Sequence, residues 1–544
     1  MIVNTELHST TRPDGLRRWL TGLSGPAMRR NAATLLILFA LTFVLQVASG
    51  AYHSEFSSYP DEPAHYVTSL MVREYLKAPD LLHPMAFAQN YYAHYPKVAF
   101  GHWPPVFYIV QSVWMLLFSA SRASVRLELA LTTALLAFSL YSQLKRYFSF
   151  TAAIIGAALL ICLPLVQSST DQEMAESLLT LFCFWSAVFL ARYCKSERWQ
   201  DSLWFGIFMS LAVLTKGNGW LLCLLPSVAF LLTRKLNLFL RPSFWVSALV
   251  VAVLCLPWQL MTMGLASEGW AGSAPTLQYT LSALGQFVII MMRITGPALS
   301  VLILLGIAAQ VILPFVRREF VTPFAAVMLG LILATWVFHS IVPAGIEDRK
   351  MVIATPAFVL FLIAGGFWLA DHLPFPVKWR RSAVTSAAAV IFAAGTFAVP
   401  RDQRYGYTEA AQFITSQPEF RGSTILTSSN SIGEGLLVSE IAMIEPQPRD
   451  TIIRATKALA RMNWNGSVYR SLVSSPRGVL AVLGRDHVQL VVVDTWPLDN
   501  QLPHNRLLLE TIQSNPSRFQ LLRTCSPGTP ATAGQIRIYR FLPQ

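Results

Sequence analysis

The stretch YPDEPAHY, residues 59–66, sets two adjacent carboxylates, Asp61 and Glu62, between two prolines. It follows closely on the first long apolar run of the chain, residues 32–47. Because proline restricts both its own backbone and that of the residue before it, the apolar helix is not expected to continue through this stretch. Four arginines lie on the other side of the apolar run: Arg17, Arg18, Arg29 and Arg30. If the run spans a bilayer, the basic flank stays cytoplasmic and the acidic pair emerges on the far face.

The composition is typical of a membrane protein. Of the 544 residues, 54% are hydrophobic and only 13% are charged, with a mean hydropathy of +0.47. A soluble domain usually carries about 25% charged residues. The net charge is +13, but the basic residues form short clusters between apolar runs. Since such clusters are expected of cytoplasmic loops, and no basic stripe is interleaved with aromatic residues, nucleic acid is not expected as a partner.

Eleven apolar runs are predicted to be transmembrane helices. They cover residues 31–50, 123–143, 150–168, 176–194, 203–216, 218–233, 242–262, 297–316, 323–342, 351–370 and 383–399. With a cytoplasmic N-terminus, this assignment places every basic cluster from Lys145 to Arg381 on the cytoplasmic side and the C-terminus outside. A further apolar stretch covers residues 104–120. If it crossed the membrane, all of these basic clusters would lie on the outer side instead. We therefore expect it to lie in the outer interface or to dip back out.

The chain divides into three predicted regions. A cytoplasmic segment covers residues 1–30, a transmembrane domain covers 31–400 with its first outer loop at 51–122, and an outer-face domain covers 401–544. In the last region, alternating runs predict strands at 424–427, 478–483, 488–495 and 535–541, and helical patterns occur near 407–417 and 505–514. The predicted fold class is mostly α: a polytopic helical membrane protein of about 11 transmembrane helices, followed by a soluble α/β domain.

Four groups of polar residues are expected at the outer ends of the spans, where charge is costly unless it is paired or used. They are Asp61 and Glu62 with His65; Asp171, Glu173 and Glu176; Lys216; and the loop 339–350 with Arg349. A carboxylate can accept a proton from a hydroxyl as a general base. Lysine and arginine can neutralise a phosphate leaving group. The second acidic group could orient an acceptor or help to bind a divalent cation.

Each group also has a purely structural explanation. Asp61 and Glu62 could simply be solvated charges in a loop. The acids of the second group could be stabilised by the dipole at a helix N-terminus. Lys216 could extend to the interface, and Arg349 could pair with a neighbouring acid. It is also open whether residues 216–219 join two helices or interrupt one. Three histidines share the first outer loop without a recognised ligand spacing: His65, His94 and His102. The residues therefore leave the cofactor open, a divalent cation included.

The order of these motifs resembles the GT-C integral membrane glycosyltransferases, most closely the protein O-mannosyltransferase and aminoarabinose-transferase superfamily. Those enzymes carry an Asp-Glu pair after the first span, a Pro-Pro motif opening an aromatic helix, an acid before a Leu-rich span, a Leu-Thr-Lys-Gly turn and a late outer-loop arginine. The matching positions are 60–62 with Tyr66; His102 to Tyr108, including Pro104 and Pro105; Asp171 or Glu176; 214–217; and Arg349 to Pro356. The resemblance covers residues 30–370. Lys350 stands where the family often has an aromatic residue.

The resemblance implies transfer of a hexosyl or pentosyl group from a polyprenyl-phosphate-linked donor to a glycan, lipid or protein acceptor. Asp61 would be the general base, Glu62 would orient it, and Lys216 with Arg349 would hold the donor phosphate. Asp171 or Glu176 would be a second acidic site. The loop facing acceptor or donor would contain His65, Tyr66, His102, Pro104 and Pro105. The expected location is the outer face of a bacterial inner membrane.

Two other classes are compatible with the sequence. A lipid or glycolipid transporter (a flippase) would predict inverted repeats with broken helices in corresponding halves, and no internal repeat is evident. A non-catalytic membrane assembly protein would not need the acidic pair.

Overall fold

The chain, in a computed structural model, is a helical bundle that carries an α/β domain at one end. The structure describes residues 26–57, 59–270, 275–374, 377–399, 404–462, 468–495, 502–526 and 534–543. Most of the predicted cytoplasmic segment 1–30, with Arg17 and Arg18, lies outside these residues.

The helices up to residue 400 are α1 (Pro26–Ala48), α2 (Asp61–Lys77), α3 (Pro84–His94), α4 (Val106–Leu117), α5 (Arg122–Leu144), α6 (Phe150–Cys162), α7 (Pro164–Asp171), α8 (Glu176–Ser196), α9 (Trp199–Thr215), α10 (Leu225–Leu232), α11 (Pro242–Trp270), α12 (Leu277–Thr295), α13 (Pro297–Ile307), α14 (Leu313–Val316), α15 (Pro323–Ile341), α16 (Thr355–His372) and α17 (Val377–Gly395).

Among the described residues, eight helical segments are long and apolar enough to cross a bilayer. They are Met28–Ala48, Arg122–Leu144, Glu176–Ser196, Pro242–Leu265, Leu277–Thr295, Pro297–Val316, Pro323–Ile341 and Asp348–His372. The pair α6 and α7, bent by 60°, gives a ninth if it is counted as one span. This number is lower than the predicted eleven because three predicted spans are short. α9 has 17 residues, and the helices Gly217–Leu232 and Ser382–Gly395 are shorter than a usual span.

The helix α12 was not predicted from the sequence. Near its start, the hydroxyl of Tyr279 donates to the carbonyls of His339 and Val342, each at 3.4 Å. Near its other end, Arg293 pairs with Asp348. Because these partners all lie at or just after the C-terminal end of α15, the helix lies across one end of the bundle. It therefore does not need to cross the bilayer, although its length and composition would allow it.

Contacts between loops distinguish the two ends of the bundle. At one end, Lys145 donates to the side chain of Asn31 at 3.0 Å, and Arg234 donates to the carbonyl of Phe315 at 2.5 Å. The candidate site and the α/β domain lie at the other end. The short helix α4 also stays at that end, since the indole of Trp114 donates to the carbonyl of Ser124 at 3.0 Å at the start of α5. Twelve residues of helix extend only about 18 Å, so the stretch 104–120 does not cross.

The α/β domain contains the remaining helices and all named strands. They are α18 (Tyr407–Ser416), β1 (Thr424–Ser428), α19 (Ser431–Ile444), β2 (Thr451–Arg454), α20 (Ala455–Ala458), β3 (Ala460–Met462), β4 (Tyr469–Ser471), α21 (Pro476–Arg485), β5 (Leu490–Asp494), α22 (Pro503–Ser514), β6 (Phe519–Cys525) and β7 (Ile536–Phe541). The main sheet has the order β2-β1-β5-β7-β6. β2, β1 and β5 are parallel, whereas β7 and β6 run antiparallel to their neighbours.

Most predicted elements of this domain are present, but the strand predicted at 478–483 is wrong. These residues belong to the helix α21. The hydroxyl of Ser475 accepts a hydrogen bond from the backbone N–H of Gly478 at 3.3 Å and caps the helix, and Pro476 stands at its first position. The buried residues Val479, Val482 and Leu483 recur at helical spacing.

The α/β domain is fixed on the loop 51–122 by a shared apolar core and buried charges. Tyr66 and Tyr95 of the loop pack in one cluster with Tyr407 and Leu436 of the domain. The carboxylate of Glu55 accepts backbone N–H groups at the start of α18 at 2.9–3.2 Å. The domain therefore has a defined position over the loop that carries residues 59–66.

Candidate active site

Asp61 is the first residue of α2, directly after Pro60. Its Oδ2 accepts a hydrogen bond from Nη1 of Arg349 at 2.8 Å. Burial raises the pKa of Asp61, but the guanidinium of Arg349 outweighs this effect and holds the pKa below its ordinary value. The carboxylate is thus kept ionised. Only 14% of its side-chain surface is exposed.

Arg349 makes contacts that fix the plane of its guanidinium. Besides Asp61, it donates through Nε to Glu347, and its guanidinium carbon lies 4.6 Å from the ring centre of Tyr59. The residue belongs to a short 3₁₀ helix, Asp348–Ala354, that leads into α16. Because a guanidinium has five N–H donors in a fixed fork, donors beyond these two bonds can serve an anion. The next residue, Lys350, is 7% exposed and is a second, buried basic residue of this 3₁₀ helix.

Lys216 and Glu176 form a buried ion pair beside this arginine. Nζ of Lys216 donates to Oε1 of Glu176 at 2.5 Å. Lys216 has an extended backbone between α9 and a 3₁₀ helix, Gly217–Leu224, so the turn breaks the helix rather than joining two regular ones. Gly219 is required there, since a Cβ would lie 2.5 Å from the carbonyl carbon of Ala212 and the backbone nitrogen of Val213. Arg349 interacts electrostatically with Asp61 and Glu176 together, which places these groups in one cluster.

The two candidates for the second acid are separated by the fold. Glu176 contacts Lys216, whereas Asp171 lies beside Ser49 and Tyr52 at the end of α7. The geometry therefore favours Glu176 as the acid of the cluster.

Glu62 points away from Arg349 into the protein. It is fully buried, and its Oε1 accepts the backbone N–H of Glu173 at 2.6 Å and faces Nη2 of Arg126 at 3.4 Å. Arg126 itself is 1% exposed and also covers the ring of Phe56. Glu62 thus connects α2 to α5 and to the turn before α8. Its predicted orienting role is compatible with this position, since it fixes the helix that begins with Asp61.

His65 lies one helical turn after Asp61. Its ring stacks on Trp103 at 4.4 Å, and its Nδ1 is 3.1 Å from the hydroxyl of Tyr108. Burial and the nearby Lys216 lower the pKa of His65 to about 4, so the ring is neutral at physiological pH. The other predicted loop residues differ in position. Tyr66 is buried and donates to the carbonyl of Ala120 at 2.6 Å, which makes it part of the core.

His102, Pro104 and Pro105 lead into α4, with Pro105 directly before its first residue. His102 lines a cavity of about 1050 Å³ between the loop 51–122 and the α/β domain. We call this the large cavity. A second cavity of about 280 Å³, the small cavity, is lined by Tyr59, Glu176, Arg293 and Arg349 among other residues. Tyr59 lines the small cavity and Pro60 the large one, so Asp61 follows directly on residues that border both.

Among the described residues, no group of three or more His, Cys, Asp or Glu side chains is arranged to hold a metal ion. Several residues of the site were not predicted from sequence. Arg293 belongs to the unpredicted α12, and Arg126 and Lys97 carry no motif. The sequence offered one signal that could have identified them: a charged residue in or next to a span is costly unless it is paired or has a function.

Comparison with known proteins agrees with this architecture. Residues 102–260 match the family model of dolichyl-phosphate-mannose-protein mannosyltransferase. No curated protein sequence gives a significant match. Solved structures share the fold at low identity. ArnT from Cupriavidus metallidurans bound to undecaprenyl phosphate has a TM-score of 0.54 and 14% identity, covering 92% of this chain and 97% of ArnT.

The oligosaccharyltransferase from Archaeoglobus fulgidus in its apo form has a TM-score of 0.55 and 14% identity. The match covers 85% of this chain and 69% of the oligosaccharyltransferase chain. The archaeal oligosaccharyltransferase AglB from the same organism, in complex with an inhibitory peptide and a dolichol-phosphate, has a TM-score of 0.53 and 14% identity over the same shares. The chain therefore has the fold of the GT-C membrane glycosyltransferases, and the resemblance predicted from its sequence is confirmed.

Proposed function

We propose that this chain is a glycosyltransferase of a bacterial inner membrane. It transfers a sugar from a polyprenyl-phosphate-linked donor to an acceptor on the outer, periplasmic face. The observation that carries the proposal is the position of Asp61: Arg349 holds its carboxylate, and the two residues before it, Tyr59 and Pro60, line the small and the large cavity respectively. A base between two binding spaces is what an acceptor and a donor approaching from opposite sides require.

The small cavity suits the donor phosphate. Arg349 and Arg293 line it together with the carboxylates of Glu176 and Asp348. Lys216 adds a further cation, since it pairs with Glu176. Arginine suits phosphate because it offers two parallel N–H groups at a fixed spacing. The solved structures with undecaprenyl phosphate and dolichol-phosphate support a polyprenyl carrier for the same fold. The long lipid tail would lie along the membrane helices.

Each step of the reaction can be assigned to groups around Asp61. An acceptor hydroxyl or amine attacks the anomeric carbon, the bond from that carbon to the phosphate oxygen breaks, and Asp61 takes the acceptor proton. The configuration at the anomeric carbon is inverted. The departing phosphate gains negative charge, which Arg349 and Lys216 neutralise. When the guanidinium of Arg349 binds the phosphate, it stabilises the ionised carboxylate of Asp61 less. The carboxylate then becomes a stronger base.

Binding of the carrier lipid tests the donor assignment. We would measure polyprenyl phosphate binding to the full-length protein in neutral-lipid nanodiscs, for wild type and Arg349→Gln. The matched control is Arg241→Gln, which removes an exposed arginine at the opposite end of the bundle. We expect weaker binding in Arg349→Gln alone. Equal binding in all three proteins would overturn the donor assignment.

Orientation is tested separately by labelling a single engineered cysteine in right-side-out vesicles with a membrane-impermeant maleimide. In a background from which the six native cysteines are removed, Arg421→Cys in the α/β domain is expected to react, and Arg146→Cys after α5 is not. The reverse pattern would overturn the periplasmic assignment.

A further inference from the structure

The large cavity has a strongly basic lining. Five cations contribute to it: Lys97, Arg454, Lys457, Arg461 and Arg470. Among its described lining residues there is no aspartate or glutamate. Four of the five cations come from the α/β domain, whose role the sequence analysis left open. Because Pro60 lines the same cavity, a molecule bound there reaches the vicinity of Asp61.

The domain places these cations at one edge of its sheet. Arg454 is the last residue of the parallel strand β2, and Ser431, the first residue of α19, lines the cavity beside it. The cavity thus lies at the carboxyl ends of parallel strands, where open α/β sheets bind ligands. The N-terminus of α19 adds a favourable field for negative charge.

The hairpin of β3 and β4 supplies an independent observation. Arg461 and Arg470 are paired directly opposite each other in its antiparallel register. Both are exposed and both line the cavity. Like charges directly opposite each other destabilise a pair of strands, and no carboxylate of the described residues forms an ion pair with either arginine. An anion bound between the two guanidinium groups would remove this repulsion.

The remaining cations differ in how far their charge is already balanced. Arg454 is paired with the buried Glu434 at 3.0 Å, so it contributes mainly a hydrogen-bonding surface. Lys457 donates to the carbonyl of Met462 at 2.7 Å and holds the hairpin against α20. Arg461 and Arg470 are thus two exposed arginines of the lining that lie side by side and have no ion pair with a described carboxylate, which suits them to hold a ligand's charge.

The cavity also has an apolar part to its lining. It is formed by side chains that include Met85 and Tyr92 of α3, Leu265 of α11 and Leu472 after β4. Leu265 lies near the end of a predicted span, so this part of the lining borders the outer membrane surface. A ligand with both a charged group and a less polar body matches this mixed lining.

We propose that the acceptor is an anionic molecule that carries phosphate or carboxylate groups, and that Arg461 and Arg470 hold its charge in the large cavity. This inference rests on the proposed function, because it names the acceptor class of that reaction. The anionic group is bound at the hairpin while a hydroxyl or amine of the same molecule reaches Asp61. The α/β domain then acts as the acceptor-binding part of the enzyme.

The test uses tripolyphosphate as a soluble probe and the full-length protein in neutral-lipid nanodiscs at constant ionic strength. The test variant is Arg461→Ser/Arg470→Ser. The control variant is Arg421→Ser/Arg449→Ser, which removes two exposed arginines just before β1 and β2, at the opposite edge of the sheet. Because charge-assisted hydrogen bonds are involved, we expect the test variant to bind tripolyphosphate about tenfold to a hundredfold more weakly than wild type. The control should bind like wild type.

Equal loss in both double variants, or no loss in either, would overturn the inference. So would tripolyphosphate binding that is lost in Arg349→Gln and retained in Arg461→Ser/Arg470→Ser, because the anion would then occupy the small cavity. Failure of the proposed function has a different signature, namely sugar transfer that persists in Asp61→Asn. A further arm adds phosphatidic acid to the nanodiscs. Competition with tripolyphosphate would assign a membrane-anchored anion, and its absence a soluble one.

Discussion

Asp61→Asn is the substitution that separates a general base from a structural partner of Arg349. The side chain keeps its shape, but an amide cannot accept the proton of the attacking group. General base catalysis typically contributes about 10²- to 10⁴-fold in rate, which corresponds to about 2.7–5.4 kcal/mol of activation free energy. We therefore expect kcat to fall by two to four orders of magnitude. Arg349 keeps its bond to Glu347, so the KM for the donor should not rise.

The matched control is Glu347→Gln, because it removes the other carboxylate that binds the same arginine. The side chain of Glu347 is 36% exposed, and ion pairs at such sites contribute about 1 kcal/mol or less. This corresponds to no more than about a fivefold change in rate. Initial rates with a polyprenyl-phosphate sugar, measured over a range of donor concentrations, give kcat and KM for both variants. If the two variants lose activity equally, Asp61 acts only by positioning Arg349 and the base assignment is refuted.

Glu62→Leu leaves the buried Arg126 without its carboxylate, and we expect the free energy of unfolding to fall by about 3–5 kcal/mol; an unchanged thermal midpoint would contradict the structural role of Glu62. Gly306→Ala places a Cβ 2.0 Å from the carbonyl oxygen of Phe361 on α16, so we expect a loss of about 1–3 kcal/mol, whereas Gly285→Ala, with no atom within 4 Å, should leave the midpoint unchanged or raised. Burial, with Arg454 nearby, lowers the pKa of Lys97 to about 7, so Lys97 is cationic below pH 7 and neutral above it. The affinity of wild type for tripolyphosphate, taken relative to that of Lys97→Met, should therefore fall between pH 6 and pH 8, and a constant ratio would argue against a contact with Lys97.

The membrane architecture was largely predictable because it depends on properties that act along the chain. Apolar length and the position of basic clusters correctly indicated which end of the bundle carries the acidic pair and that residues 104–120 do not cross. α12 was missed because its mean hydropathy of 1.3 is among the lowest of the eight candidates, with Thr280, Ser282 and Gln286 between its apolar residues. Its position also depends on contacts with α15 that no local pattern encodes.

The site was only partly predictable because side-chain direction decides it. Adjacent residues on a helix point about 100° apart, so Asp61 and Glu62 cannot both face Arg349. The sequence contained the pair but not this division. In the same way, Asp171 and Glu176 are equally acidic in sequence, and the break between α7 and α8 brings only Glu176 to Lys216. The charged hairpin of β3 and β4 was not predicted, since three-residue strands are too short for an alternation signal.

Turnover of a sugar-charged polyprenyl phosphate by the purified wild-type protein tests the central claim most directly. The protein in lipid would be incubated with a panel of such donors, with and without a chelator, and the release of free polyprenyl phosphate followed over time. The account predicts release or transfer by wild type that is strongly reduced in Asp61→Asn, and the chelator arm decides whether a divalent cation takes part. Binding of the donors without turnover across the panel would contradict it and would favour a lipid transporter or a non-catalytic assembly protein.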